Sequence, residues 1–204
     1  MKCSVIPKAK VFVSLLFIIV SLSSFSCQHE ESKDKVSHKI VMPPTHVDGQ
    51  LQAMIEVPVG SNVLTYYNPD LQRIDTFSTD GIPNELEYLP YPVNQGFISV
   101  LGPDSAEQKL SVWILAKQMT AGEVLAVAPI GLMEYSDAGI DYQECLMIPI
   151  DERMRVVRVQ KFRELIIEFD PLKYGIEHWL RNRHGIGRVT SFVWKDERKA
   201  ADFL

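Results

Sequence analysis

Leu89-Pro90-Tyr91-Pro92-Val93-Asn94-Gln95-Gly96-Phe97-Ile98 is the stretch whose reading decides the fold of this chain. Tyr91-Pro92 reads as a turn, and Gly96 opens an apolar run at a point where the lack of a Cβ lets two backbones approach closely. Ile55-Glu56-Val57-Pro58 lies before this stretch. Pro129-Ile130-Gly131 and Asp137-Ala138-Gly139-Ile140-Asp141 lie after it. All four segments sit among short runs rich in Val, Ile, Leu and aromatic residues: 52–57, 63–67, 74–77, 96–101, 110–116, 124–133 and 145–150. Gly, Pro, Asn and Asp punctuate these runs, which is the signature of a barrel or sandwich of short strands. Val112-Trp113-Ile114-Leu115 and Leu146-Met147-Ile148 are continuous rather than alternating, as expected of strands buried on both faces.

Helical periodicity comes late. Leu172, Ile176, Trp179 and Leu180 fall at i, i+4, i+7 and i+8, an apolar stripe directed at a core. Asp170 is a suitable N-cap, Pro171 suits the first helical position, and Gly185 can end the helix. Residues 189–194 read as a returning strand and residues 195–204 as a short terminal helix.

The amino terminus reads as an address. Lys2, Lys8 and Lys10 precede a twelve-residue apolar run, Val11 to Leu22, and Ser24-Phe25-Ser26-Cys27 closes it. The run is too short for a hydrocarbon core of ~30 Å, which needs about 20 apolar residues. The pattern resembles a bacterial lipoprotein signal over residues 1–26 with Cys27 as the acylated residue; an ordinary secretory peptide cleaved elsewhere is the alternative. Residues 27–48 are polar and read as a flexible tether, and residues 49–204 as the folded domain. Lipid on Cys27 places the protein in the bacterial cell envelope, at the outer membrane, its periplasmic face or the surface. With Cys27 acylated, Cys145 is the lone thiol of the mature chain, so stability must come from the core.

From Cys27 onward, 18 basic residues face 26 acidic ones, a net charge of −8 once Lys2, Lys8 and Lys10 are set aside. That surface disfavours nucleic acid as a partner.

The order of the four quoted segments resembles that of the soluble inorganic pyrophosphatases. The resemblance covers about 150 residues. It implies a mainly β (α+β) fold: a small closed, OB-like five-stranded β-barrel with packed C-terminal helices. It also implies magnesium-dependent hydrolysis of diphosphate to two phosphates, and it leaves room for a homo-oligomer. Carried over residue by residue, it makes Glu56, Asp137 and Asp141 metal ligands and Tyr91 a catalytic, phosphate-gripping residue. The Asp137–Asp141 spacing is one residue shorter than the family's.

Elsewhere the family's pattern is broken. Ala106, Gln108 and Ser111 stand where an aspartate triad belongs. Thr65, Thr76, Glu144 and Leu180 stand where cations are expected, and Gln95 replaces a second tyrosine. Divalent ions need charged oxygen ligands, and threonine offers none of arginine's fixed donors. The reading is therefore a membrane-anchored pyrophosphatase homologue with little or no hydrolysis, acting as an envelope binding or structural module, with diphosphate or another phosphate compound as its candidate ligand. Two alternatives stay open: an active diphosphatase with a rearranged metal site, and an unrelated barrel with chance motifs.

Overall fold

The computed structural model describes residues 39–86, 88–102 and 106–204. The expected signal, Cys27 and most of the expected tether lie outside them. The strands in chain order are β1 (His46–Val47), β2 (Gln50–Val57), β3 (Thr65–Asn68), β4 (Arg73–Thr76), β5 (Ser78–Thr79), β6 (Ile82–Pro83), β7 (Asn94–Leu101), β8 (Glu107–Ile114), β9 (Val124–Asp137), β10 (Ile140–Pro149) and β11 (Val189–Asp196). The helices are α1 (Phe162–Glu168), α2 (Asp170–Asn182) and α3 (Glu197–Phe203).

Five strands close a barrel in the order β2-β7-β8-β10-β9. Closure depends on β2 serving two neighbours. Its first half pairs with β9, from Leu51↔Val127 to Met54↔Val124, and its second half pairs with β7, from Met54↔Phe97 to Val57↔Gln95. At that switch a Cβ on Gly96 would overlap the Met54 carbonyl, so the close approach read from the sequence is a packing requirement. The β8–β10 pair is parallel and the other barrel pairs are antiparallel.

Strand alternation separates two cores. Ala53, Ile55, Ile98, Val112, Ile114, Leu132, Cys145 and Met147 come from all five strands and fill the barrel, joined by Ala200 of α3. Burial pushes the Cys145 thiol up to about 12, which keeps it protonated and inert. The opposite faces of β8, β9 and β10 carry Trp113, Met133 and Leu146 into a second core with Phe162, Leu165, Ile176, Trp179 and Leu180.

The stripe on α2 is buried as its periodicity predicts, with Ile176, Trp179 and Leu180 inside. Its start differs. Phe169 takes the cap position, because α1 ends there and the two helices run nearly together. Among the described residues no helix is long and apolar enough to cross a membrane.

The expected tether is too long at its C-terminal end. Ile40 and Met42 pack against Met54, Tyr67 and Phe97. The Ile40 N–H donates to Gln72 O at 2.7 Å, and Tyr67 Oη donates to Ile40 O at 2.9 Å. β1 then adds to β2. Two apolar residues in a polar stretch suffice to dock it, so the body begins near residue 40 rather than 49.

Candidate functional site

Asn94 is fully buried and fixes the mouth of the site. Its Oδ1 accepts from Val59 N at 3.0 Å, and its Nδ2 donates to Ala116 O and Lys117 O at 3.1 and 3.0 Å. One side chain thus ties the turn after β2 to the segment after β8, with Tyr91 beside it. The Tyr91 ring packs with Trp113 and Trp179 in a triangle, with centroids 5.7 and 4.6 Å from Tyr91 and 5.6 Å between the two tryptophans. Trp179 Nε1 in turn donates to Leu89 O at 2.8 Å. Burial raises the Tyr91 phenol above its ordinary pKa; the charge of Arg183 opposes the shift, while Glu144 and Glu56 add to it. The hydroxyl is therefore neutral at pH 7, a donor rather than a base.

Beside Tyr91 opens a cleft of about 470 Å³. Val57, Leu64, Tyr66, Phe77 and Leu86 form an apolar wall, and Glu56, Gln95, Lys109, Arg183 and His184 bring polar groups to it.

Three acidic groups near this cleft are each already engaged. Glu56 Oε1 accepts from Tyr67 N and from Lys109 Nζ, both at 2.8 Å. The same ammonium donates to Tyr67 O at 2.6 Å and lies 4.6 Å from the Phe97 ring centroid and 5.3 Å from that of Tyr67. Glu144 is buried and accepts from Ser111 Oγ, Trp113 Nε1 and Tyr135 Oη at 2.8–2.9 Å. Asp137 is buried and pairs with Arg188 Nε at 2.9 Å.

The cations come from places the sequence pattern did not mark. Lys109, Ser111 and Trp113 alternate onto one face of β8, whereas Gln108 points the other way and lies over Gly102. Arg183 follows the last turn of α2. Its Nη2 donates to Tyr135 Oη at 3.3 Å, its guanidinium carbon is 5.4 Å from the Trp179 ring centroid, and its Nε is buried with no partner among the described residues. Burial, and next the Arg183 charge, hold His184 below its ordinary pKa, so it is neutral at pH 7.

No protein-family model matches the chain, and no curated protein matches its sequence. Solved structures do. The inorganic pyrophosphatase from Thermus thermophilus superposes with a TM-score of 0.64 at 23% identity, over 80% of this chain and 93% of that one. That from Neisseria gonorrhoeae gives 0.59 at 23%, over 80% and 92%. The truncated Trypanosoma cruzi vacuolar soluble pyrophosphatase, in complex with PPi, gives 0.63 at 15%, over 78% and 68%. The fold is that of the inorganic pyrophosphatases.

Within that pyrophosphatase fold the expected ligands do not gather. Asp141 is opposite Ser136 in the β9–β10 hairpin, so it faces away from Asp137 and lines a different surface hollow with Glu134, Gln143 and Ser191. The shorter spacing is the cause, because one residue's difference in a hairpin reverses the face. Among the described residues no group of three or more His, Cys, Asp or Glu side chains is placed to hold a metal ion. The described residues do not fit a magnesium cluster. Thr65, Thr76, Glu144 and Leu180 bring no cation to the cleft, but Lys109 and Arg183, from other positions, bring two.

The Glu56–Lys109 pair should be energetically real. Its side chains are only 11% and 30% exposed. A double-mutant cycle on Glu56→Gln and Lys109→Met, read by denaturant unfolding, should give a coupling of about 1–2 kcal/mol, against ~0.2–1 for exposed pairs. A coupling near zero would show the pair to be incidental.

Proposed function

We propose that this chain is a pyrophosphatase homologue that hydrolyses diphosphate weakly or not at all and serves as a membrane-anchored binding module of the bacterial envelope. One observation carries the reading: the Lys109 ammonium sits on Glu56, the carboxylate that the resemblance offers as a metal ligand. Glu144 and Asp137 are similarly committed to internal partners. Phosphoryl transfer depends on positioned groups and on neutralised charge. At Glu56 the positioned charge is a lysine, which cannot lower the pKa of an attacking water as a divalent ion does.

Neutral Tyr91, Gln95 and Arg183 remain able to bind and orient a ligand without reacting with it. Magnesium is the family's expected cofactor, and its binding by this chain should be weak. The anchoring part of the proposal rests on the basic start, the apolar run from Val11 to Leu22 and Cys27.

The activity test is phosphate release from magnesium pyrophosphate by the purified protein and by its Glu56→Ala, Asp137→Ala double variant. Equal, near-background rates are expected. Robust turnover by the unaltered protein that the double variant lacks would establish the competing reading, an active diphosphatase with a rearranged metal site. Anchoring is tested by Cys27→Ser, which should move the protein from the membrane to the soluble fraction; unchanged fractionation would overturn the lipid assignment.

A further inference from the structure

The cleft beside Tyr91 does not end at its apolar wall. A second hollow of about 760 Å³ adjoins it, sharing Leu64, Leu86, Arg183 and His184. The second hollow is the polar one, reached by Thr79, Asn84, Arg188 and the exposed carboxylate of Glu85. Arg183 and His184 thus stand at a corner with apolar surface on one side and hydrogen-bonding groups on the other.

The charges at this corner differ in kind. Lys109 is neutralised by Glu56 and Arg188 by Asp137. Among the described residues the Arg183 side chain has one hydrogen bond, to a neutral phenol, and no carboxylate partner. A guanidinium in a half-enclosed site, with no carboxylate partner among the described residues, is a strong donor to an oxyanion. The −8 charge of the body does not cancel it, because exposed charges beyond about 8 Å are largely screened at physiological ionic strength. The same cleft is lined by Tyr66 and Phe77, with ring centroids 4.3 Å apart, and the Phe77 side of that pair is half exposed. Diphosphate, which is charged at both ends, has no use for that wall.

We infer that the cleft binds, without a divalent metal, a small organic oxyanion carried on an apolar or aromatic body, its head at Arg183 and its body against Tyr66 and Phe77. The inference rests on the reading of the site as one that binds without hydrolysing, and it names the ligand class of that site. A phosphomonoester and a carboxylate share the required head chemistry.

The test is calorimetric titration of the full chain in chelator-containing buffer with phenyl phosphate, benzoate and inorganic phosphate. Phenyl phosphate should bind at least about tenfold more tightly than inorganic phosphate, a difference of roughly 1.4 kcal/mol. Phe77→Ala, at the rim and outside the folded core, should bring the two affinities together. Arg183→Leu should weaken phenyl phosphate and benzoate alike, provided its melting curve shows a folded protein. Equal affinity of the unaltered protein for phenyl phosphate and inorganic phosphate would overturn the inference. So would no binding of any of the three, or a Phe77→Ala variant that keeps the full preference. Turnover of magnesium pyrophosphate by the same preparation would instead overturn the non-hydrolytic reading, and that measurement is independent of these metal-free titrations.

Discussion

A carboxylate taken out of water must be matched by a charge or a full set of donors, and this barrel matches three of them internally. Glu56 takes Lys109, Asp137 takes Arg188, and Glu144 takes three neutral donors from Ser111, Trp113 and Tyr135. Leaving such an acceptor unmatched costs about 1–3 kcal/mol, more where charge is involved. Each pairing therefore holds its partner in place as firmly as it holds the acid. The consequence for a metal is steep. A divalent ion about 4 Å from a fixed ammonium meets a repulsion of roughly 8 kcal/mol at an effective dielectric constant near 20. Lysine on Glu56 and magnesium on Glu56 are competing states of the site, and the structure holds the first.

The fold explains why these groups meet at all. β2 turns from β9 to β7 at Gly96, and this brings Glu56 at its end beside Lys109 of β8. Asn94 then clamps the following turn, so that Tyr91 enters the aromatic cluster with Trp113 and Trp179. Trp179 fills the space that α2 presents to the barrel, and the chain just beyond it delivers Arg183 to the cleft. The pyrophosphatase fold thereby holds a cleft in which Glu56 carries Lys109 and Arg183 stands beside Tyr91.

Much of this was legible beforehand. The barrel strands announce themselves as continuous or alternating apolar runs, and the α2 stripe follows from the spacing of Ile176, Trp179 and Leu180. α1 was missed because seven residues bury only Phe162 and Leu165, too few to show a period. The docking of Ile40 and Met42 was missed because their neighbours are polar. The cations were missed for a reason of parity. Positions 106, 108 and 111 read as lost aspartates, while Lys109 shares its face with Ser111 and Trp113, a relation visible from strand alternation alone. Arg183 gives no such signal, since a basic residue at a helix end ordinarily reads as solvated. Asp141 could be questioned from its spacing, but only the register shows which way it points.

The central claim is that an internal ammonium occupies the charge position a metal would take at Glu56. Thermal unfolding of the protein across a magnesium titration tests it most directly. A folded-state site whose dissociation constant lay a thousandfold below the magnesium concentration would add about 4 kcal/mol of stability. The account predicts a melting temperature that does not respond to magnesium beyond the effect of ionic strength. A saturable rise that Glu56→Gln abolishes would contradict it.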